Sequence, residues 1–290
     1  MQGHCLDQPC EPEGGAKHRH TVRQPWYPVE ERYGLVFAYL GPSGRKPYLP
    51  RYDALEQLAP GELLDADDTS IGTGGGVIVP CNWLQHYENL MDPYHVAILH
   101  GSFSGPQFVP MMGVMPEVEF AVTPRGVKST SVRKLDDGRV FHRVTEALLP
   151  TLRVVPNPRV TGYGKVESLG WVVPIDDTSF RIYTAGRVKE RGELGRGRSK
   201  MNGKFWWDLT EEEHQRFPGD WEAQTGQGEI SFHSDEHLRT SDRGIALLRR
   251  LLERQADAVE KGGDPLGVHF DEASAYVRLE AGQQVLENAT

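Results

Sequence analysis

The segment EVEFAVTPRGVKSTSVRKLDDGRVFHRVTEALLP, residues 117–150, decides the fold class of this chain. It contains three runs rich in β-branched and aromatic residues, and runs of the same character follow at 168–176 and 179–188. The breaks between these runs are DDG, PNP and IDDT, which are typical of turns. Short strands joined in succession by turns predict an antiparallel β-meander.

Upstream of the meander the sequence signals for strands are weaker. YGLVFAYL at 33–40 and GGGVIVP at 74–80 predict two more strands, and PYLPRYDALEQLAPGE at 47–62 is typical of a linker. The first 50 residues are rich in Pro, Gly and charge. We therefore place a domain boundary near residue 50.

Two helices are predicted beside the strands. The first spans 83–100 and is expected to bend or restart at Pro93, immediately before the histidines. The second begins after Ser241 or Asp242 as N-cap and ends at Gly262. Its apolar residues form one stripe, at positions 245, 248, 251, 252, 256 and 259. A curved antiparallel sheet gripping this long C-terminal helix is an α+β fold with room for a ligand inside.

Composition excludes several classes of protein. The chain has 290 residues, of which 38% are hydrophobic and 25% charged, as in ordinary soluble globular proteins. Its formal net charge of -9 argues against binding to nucleic acid or to anionic lipid. We find neither an apolar run long enough to span a membrane nor a signal peptide, so we expect a cytoplasmic protein.

The three cysteines are too few and too unevenly placed for a disulfide framework, and we expect reduced thiols. A zinc site near the N-terminus is an alternative, although its spacing matches no common zinc pattern. Its candidate ligands are Cys5, Cys10, His4, His18 and His20.

The segment ENLMDPYHVAILH, residues 88–100, contains candidate metal ligands. Asp92 and His95 are three residues apart and share a helix face. His100 lies five residues beyond His95, about 140° around an ideal helix, so the histidines converge only if the helix is distorted or ends between them. Two histidines and a carboxylate are the ligand set of non-heme Fe(II). Taken alone, a histidine on such a helix is more often a hydrogen-bonded core or surface residue than a ligand, and Asp92 is equally consistent with a favourable charge at a helix N-terminus.

The wider sequence resembles Rieske-type aromatic ring-hydroxylating oxygenases, large-subunit type. NWLQHYENLMDPYHVAILHGSF at 82–103 resembles the mononuclear-iron motif of that family, and GDWEAQTGQGEISFHSDEHLRTSDRGIALLRRLL at 219–252 resembles its downstream run. YPVEERYGLVFAYLGP at 27–42 and VVPIDDT at 172–178 resemble two further family segments. The resemblance is strongest to the branch of phthalate, phenoxybenzoate and vanillate-type oxygenases.

The resemblance implies that His95, His100 and Asp220 hold a mononuclear Fe(II). Asp92 matches a bridging carboxylate that relays electrons from the neighbouring subunit's Rieske cluster. Asn89 and Glu88 are expected to support the iron ligands or to line the entrance, and a polar helix start is an equally good interpretation of both. Three other acids compete with Asp220, and only the register of the downstream motif favours it. They are Asp208, Glu222 and Asp235.

The implied activity is dioxygen-dependent hydroxylation or O-demethylation of an aromatic compound in a START-like, helix-grip catalytic domain. Electrons are expected from NAD(P)H through a separate reductase or ferredoxin and a 2Fe-2S Rieske cluster, in a homotrimer. This chain departs from the family pattern because no cysteine has the C-x-H or C-x-x-H spacing that the cluster needs. We interpret 1–50 as the end of a Rieske domain whose cluster lies upstream of Met1, and 51–290 as the catalytic domain. We expect the chain alone to bind iron and to turn over poorly.

The substrate and two competing functions stay open. Five apolar residues are candidates for the pocket, although such residues at strand spacing are more typical of plain core; they are Phe103, Phe108, Met111, Met112 and Trp171. No arginine is singled out as a carboxylate clamp. A non-enzymatic carrier of apolar ligands would need no triad. A zinc hydrolase would need a general base, for which Glu88 is the nearby candidate.

Overall fold

The computed structural model describes residues 3–42, 44–69, 71, 76–103, 107–159, 164–196, 200–201 and 203–287. The strands are β1 Val29–Arg32, β2 Leu35–Ala38, β3 Arg51–Tyr52, β4 Leu63–Thr69, β5 Glu117–Thr123, β6 Gly126–Lys134, β7 Val140–Leu148, β8 Leu152–Val154, β9 Gly164–Lys165, β10 Ser168–Asp176, β11 Ser179–Val188, β12 Lys200–Met201, β13 Lys204–Phe205, β14 Tyr276–Val277 and β15 Gly282–Leu286. The α-helices are α1 Asp53–Glu56, α2 Trp83–Asn89, α3 Glu193–Arg196, α4 Glu211–Arg216, α5 Asp220–Thr225 and α6 Arg243–Glu260. A π-helix spans Val96–Phe103, and 3-10 turns lie at Pro12–Gly15, Arg19–Thr21, Pro110–Gly113, Trp206–Asp208, His233–Asp235 and Thr240–Asp242.

A nine-stranded antiparallel sheet forms the centre of the fold. Strands β4, β11, β10, β8 and β7 are neighbours in that order, and β6 and then β5 continue from the other edge of β7. The first half of β7 also pairs with β15, which pairs with β9. The prediction of an α+β fold with a large antiparallel sheet is confirmed.

The predicted meander matches the structure closely. Three predicted runs match strands β6, β10 and β11 to the residue, at 126–134, 168–176 and 179–188. Two longer predicted runs, at 117–124 and 138–150, contain β5 and β7. Along β6 the side chains alternate between buried and less buried positions, as a strand with one face to the core requires. Residue composition and the turn residues between the runs were therefore sufficient to locate these strands.

The strand predicted at 74–80 is wrong. Residues 74 and 75 lie outside the described residues, and Val79 makes only an isolated bridge to Phe180. The edge strand next to β11 is instead β4, with the sequence LLDADDT. Its acidic residues are stabilised by tertiary contacts: Asp68 forms an ion pair with Arg181, and the Asp65 carboxylate accepts the backbone N–H of Gly192 at 2.7 Å.

The segment predicted as a linker at 47–62 is part of the structured core. It contains β3, which pairs in parallel with β14, and α1, whose Leu55 is buried. Tyr33, from the turn before β2, packs into the same hydrophobic cluster and donates its hydroxyl to Glu56 at 2.8 Å. The turn Tyr33–Gly34 has positive φ at both residues, the geometry of a tight hairpin between β1 and β2.

Helix α6 packs against β5, β6 and α2. Leu248 and Leu251 on its apolar stripe are buried with Val127 of β6 and Met91. The helix begins after Asp242, as predicted, and ends at Glu260 with Lys261 as C-cap. Gly262 follows with φ of 80°, and its N–H donates to the Val259 carbonyl. None of the helices in the described ranges combines the length and the apolar composition that crossing a membrane requires.

Candidate metal centre

The structure brings the three predicted ligands together. Ligand atoms of His95, His100 and Asp220 all lie within 4.8 Å of one another, and no other such group occurs in the described part of the chain. The Asp220 Oδ1 atom is 3.2 Å from His100 Nε2 and 3.6 Å from His95 Nε2. His100 is fully buried, and Asp220 is 7% exposed.

The π-helix explains the five-residue spacing of the histidines. Helix α2 ends at Asn89, a new helical turn begins at Tyr94, and the segment Val96–Phe103 is π-helical. In a π-helix the hydrogen bonds span five residues, so positions five apart lie nearly one turn apart. The helix between His95 and His100 is therefore distorted, which is one of the two conditions for their convergence, and both rings point toward Asp220.

Hydrogen bonds fix the orientation of both rings. Nδ1 of His100 bonds to Oε1 of Gln107 at 2.8 Å, and Nδ1 of His95 bonds to the backbone carbonyl of Asp92. Each Nδ1 is thus the donor nitrogen, and each Nε2 faces Asp220. Gln107 also donates its Nε2 to the Pro218 carbonyl at 3.1 Å, which links the π-helix to the start of α5. Two oriented Nε2 atoms and one carboxylate fit a mononuclear metal ion.

Charge couples the members of this triad. Burial alone would raise the pKa of Asp220, but the charge of His100, its hydrogen bond and the charges of His95 and His86 hold that pKa well below its usual range. Burial alone would lower the pKa of His100, but Asp220 and the bonds to Asp220 and Gln107 raise it. The site is therefore built around a stable carboxylate that attracts positive charge.

Asp92 lies beside the triad and caps the turn that leads into it. Its Oδ1 accepts the backbone N–H groups of Tyr94 at 3.0 Å and His95 at 3.3 Å. Its Oδ2 is 3.7 Å from His95 Nδ1. The side chain is partly exposed on the cavity wall, a position compatible with both interpretations offered by the sequence.

The two supporting residues have different surroundings. Asn89 donates its Nδ2 to Asp220 Oδ1 at 3.4 Å and lines the cavity. Glu88 differs from the prediction: both of its carboxylate oxygens bind the guanidinium of Arg249 on α6, at 2.5 and 2.6 Å. Arg249 also binds Glu236. Glu88 thus holds α2 against α6, because its position on the helix turns it away from the cavity.

The competing acids do not reach the triad. Asp208 and Asp235 are exposed. Glu222 accepts hydrogen bonds from Trp206 Nε1 at 2.7 Å and His214 Nδ1 at 2.9 Å, and it closes the start of α5 by accepting the Gly219 N–H. Within the described ranges, the N-terminal cysteines and histidines form no group with metal-binding distances.

The triad opens onto a cavity of about 790 Å³. Of the five apolar residues predicted for the pocket, only Phe108 lines it, with its ring centroid 4.3 Å from that of His100. Met112 and Trp171 pack in the interior, and Phe103 is largely exposed. The plain-core interpretation therefore holds for Met112 and Trp171, and the pocket prediction holds for Phe108.

The cavity wall contains arginines that sequence reasoning missed. Arg133 of β6, Arg143 of β7 and Arg153 of β8 all line it. The available signal was alternation, since Ser129, Ser131 and Arg133 occupy every second position of β6 and must face the same side. Alternation alone does not reveal whether that side faces solvent or a cavity.

Comparison with known proteins identifies the family. The chain is 49% identical to the alpha subunit of phenoxybenzoate dioxygenase from Ectopseudomonas oleovorans, over 97% of the chain and 69% of that protein. The chain belongs to the Rieske-type ring-hydroxylating oxygenase family. This oxygenase subunit is also 32% identical to the oxygenase subunit of tert-butanol monooxygenase / tert-amyl alcohol desaturase from Aquincola tertiaricarbonis, over 92% of the chain and 60% of the relative.

A third relative of this oxygenase subunit is the 5,5'-dehydrodivanillate O-demethylase oxygenase subunit of Sphingobium sp., at 30% identity over 94% of the chain and 62% of the relative. The chain thus spans 60 to 69% of the lengths of these three relatives. No protein-family model matches it.

Solved structures share the fold of this oxygenase subunit. Dicamba monooxygenase bound to dicamba has a TM-score of 0.55 at 14% identity, with 89% of the chain and 77% of that structure covered. The NdmA QL mutant of Pseudomonas putida CBB5 with theobromine has a TM-score of 0.53 at 18% identity, with 90% and 69% covered. At these identities the likeness concerns the fold alone.

Proposed function

We propose that this chain is the iron-binding catalytic part of an oxygenase that hydroxylates or O-demethylates an aromatic compound. His95, His100 and Asp220 would bind a mononuclear Fe(II). The proposal rests on one observation: ligand atoms of the two histidines and of the carboxylate all lie within 4.8 Å of one another. A 2-His-1-carboxylate set leaves coordination positions open, and iron bound there would supply dioxygen activation.

The residues around the triad have defined tasks in this proposal. Gln107 and the Asp92 carbonyl orient the imidazoles, and Asn89 supports the Asp220 carboxylate. The cavity would enclose the substrate beside the triad and limit the access of water. Two relatives, a phenoxybenzoate dioxygenase and a dehydrodivanillate O-demethylase, support an aromatic substrate.

Electrons would come from outside this chain. Its cysteines lack the spacing of a Rieske cluster, so we assign the 2Fe-2S centre to another part of the working enzyme, supplied from NAD(P)H through a reductase or ferredoxin. In a homotrimer Asp92 would relay electrons from the neighbouring subunit's cluster. The proposal includes 1–50 as the end of a Rieske domain and 51–290 as a helix-grip catalytic domain, for which the packing of α6 on β5 and β6 is the support.

The structure argues against the hydrolase alternative. A hydrolytic site needs a free general base beside the metal-bound water. Glu88, the candidate for that role, has both oxygens on Arg249 and does not line the cavity. A carrier of apolar ligands has no use for the three convergent donors of the triad. The oxygenase proposal accounts for them.

Anaerobic loading with Fe(II) tests the metal site directly. We expect wild-type protein to bind stoichiometric iron and to give a high-spin iron-nitrosyl EPR signal with nitric oxide. His95→Ala should lose both iron and signal. His233→Ala, at an exposed position outside the cavity, is the matched control and should retain both. Failure of the wild type to take up iron, or tight zinc binding with esterase activity, would refute the proposal.

A further inference from the structure

Helix α5 carries Asp220 and is too short to hold its own position. It has 6 residues, and an isolated helix of that length is unstable in water. Asp220 and Gln224 are four residues apart, so their side chains lie on one face of the helix. Both residues are buried. The position of Asp220 therefore depends on what this face of α5 contacts.

Helix α2 contacts that face through two of its side chains. His86 and Asn89 are three residues apart on α2 and share a face. Asn89 donates its Nδ2 to Asp220 Oδ1 at 3.4 Å. One helical turn further along α5, His86 Nδ1 lies 3.0 Å from Gln224 Oε1. Two side-chain hydrogen bonds thus join α2 to α5, and the one made by His86 is the shorter.

Arg153 of β8 determines which ring nitrogen of His86 carries the hydrogen. Its Nη1 donates to His86 Nε2 at 3.3 Å. A guanidinium group has no acceptor, so Nε2 must accept and Nδ1 must carry the hydrogen. Burial, followed by the charge of Arg153, lowers the pKa of His86 to about 3, and the ring is therefore neutral. His86 thus donates from Nδ1 to Gln224.

The surroundings of His86 and Arg153 leave both side chains little freedom. The His86 ring is 3% exposed and stacks on Phe180, with ring centroids 5.3 Å apart and an interplanar angle of 21°. Gly170 is opposite Arg153 in the pairing of β10 with β8, and a Cβ at Gly170 would lie 2.8 Å from the Arg153 Cγ. The glycine leaves room for the stem of Arg153. His86 is therefore held in one orientation, with Nδ1 toward α5.

We propose that His86 is a positioning residue of the metal centre, which holds Asp220 at the two histidines of the triad by binding Gln224 on the same helix. As a statement about the metal centre it rests on the proposed function. A metal site needs ligand distances correct to within about 0.2 Å. With the bond from Asn89 alone, α5 could pivot about Asp220. A second bond four residues further along the helix prevents that rotation.

Binding of Co(II) to the full chain tests this role without dioxygen chemistry. The visible absorption of bound Co(II) reports both its affinity and the geometry of its ligands. We expect His86→Phe, which keeps a ring on Phe180 and removes both nitrogens, to weaken Co(II) binding about tenfold to a hundredfold and to change the spectrum. His86→Asn, whose amide can donate from near the place of Nδ1, should recover most of the affinity and the wild-type spectrum.

Two further variants separate positioning from stability. Gln224→Leu removes the acceptor of the bond, leaves His86 in place and should weaken Co(II) binding by a similar factor. Tyr87→Phe is the matched control on α2, because the buried Tyr87 hydroxyl donates to the Leu148 carbonyl on β7, at 2.6 Å, and not to α5. This variant should lose stability in urea and keep the affinity and the spectrum of wild type.

Thermal melting establishes which variants are folded, and Gln224→Leu decides the outcome if His86→Phe does not fold. Wild-type Co(II) affinity in a folded His86→Phe or Gln224→Leu chain would overturn the role of His86. An equal loss of affinity in Tyr87→Phe, or no recovery in folded His86→Asn, would overturn it too.

The oxygenase proposal and the positioning role fail in different ways. Wild type that binds Co(II) but takes up no Fe(II) would refute the oxygenase proposal alone, and the loss of Co(II) affinity in His86→Phe would still support the positioning role. Wild type that binds both ions, with unchanged affinities in the folded variants, would refute the positioning role alone. Wild type that binds neither ion would refute both.

Discussion

The Nε2 atom of His100 lies 3.2 Å from Oδ1 of Asp220, although 120 residues separate them in the chain. Gln107 stabilises this contact. Its side chain bonds to Nδ1 of His100 and also to the carbonyl of Pro218, two residues before Asp220. The geometry of the triad therefore depends on a side chain that is not one of its three members.

Gln107→Leu is expected to weaken Fe(II) binding by about tenfold to a hundredfold, since His100 loses the acceptor that fixes its ring. Anaerobic competition titration measures the change. Gln227→Leu is the control, because Gln227 is exposed and bonds only within its own turn, to the Ala223 carbonyl. Unchanged iron affinity in the folded Gln107 variant would contradict the orienting role.

Gly101→Ala is expected to lower the free energy of unfolding by about 1 to 3 kcal/mol. A Cβ at Gly101 would lie 2.7 Å from the Cα of Gly113, so the π-helix must move away from the turn that contains Gly113. Gly113→Ala is a matched control, since its Cβ would lie 3.9 Å from the Cα of Gly101, an ordinary contact. Urea denaturation compares the two, and similar stability losses would show that the close approach is not the cause.

Arg249→Met is expected to destabilise the fold by about 3 to 5 kcal/mol, because it leaves the buried Glu88 carboxylate unpaired. The double variant Glu88→Leu with Arg249→Met should recover much of this loss, since both charges are removed. Urea denaturation of the single and double variants gives the coupling free energy. If the double variant is as unstable as the sum of the singles, the pair does not act as a unit.

Acid should destabilise the fold through His86. Burial, followed by the charge of Arg153, lowers the pKa of His86 to about 3, whereas the unfolded chain takes up this proton near pH 6.5. Between these values the unfolded state binds more protons, so stability falls as pH falls from about 6.5 toward 3. His86→Gln should make this decline shallower by at most about 1.4 kcal/mol per pH unit. Denaturant unfolding over this pH range measures the slope, and the variant of the exposed His18, His18→Gln, is the control. Identical slopes in wild type and His86→Gln would exclude His86 as the source of the decline.

Asp92→Asn should leave iron bound and stability nearly unchanged, because the amide oxygen can still accept the N–H groups of Tyr94 and His95. Asp92→Ala, which removes that acceptor, should cost about 1 kcal/mol. In the complete enzyme the Asn variant should slow electron delivery, measured as single-turnover oxidation of the reduced cluster. Loss of iron from Asp92→Asn would show that the carboxylate supports the metal rather than the electron path.

The strands of the meander were predictable because their β-branched and aromatic residues, and the turn residues between them, are local signals in the sequence. Strands β6, β10 and β11 agree with their predictions to the residue. Strand β4 was not recognised, since LLDADDT has weak strand character and is stabilised through pairing with β11 and through the bond between Asp68 and Arg181. The segment 76–80 is the opposite case. Its apolar residues are typical of a strand, but the described residues there pair with no continuous strand.

Runs of strand-forming residues in the sequence were enough to predict the α+β class, and the resemblance of its motifs to a known family implied the family and the three residues of the triad, because such motifs are local properties of the chain. Only the tertiary structure decided how the three side chains of the triad come together. The bond from Gln107 to Pro218 joins residues 111 positions apart, and the spacing of the histidines does not by itself show that the segment with His100 is π-helical. The same is true of Glu88, which pairs with Arg249, and of the burial of Arg133 and Arg143, which depends on which face of the sheet is enclosed.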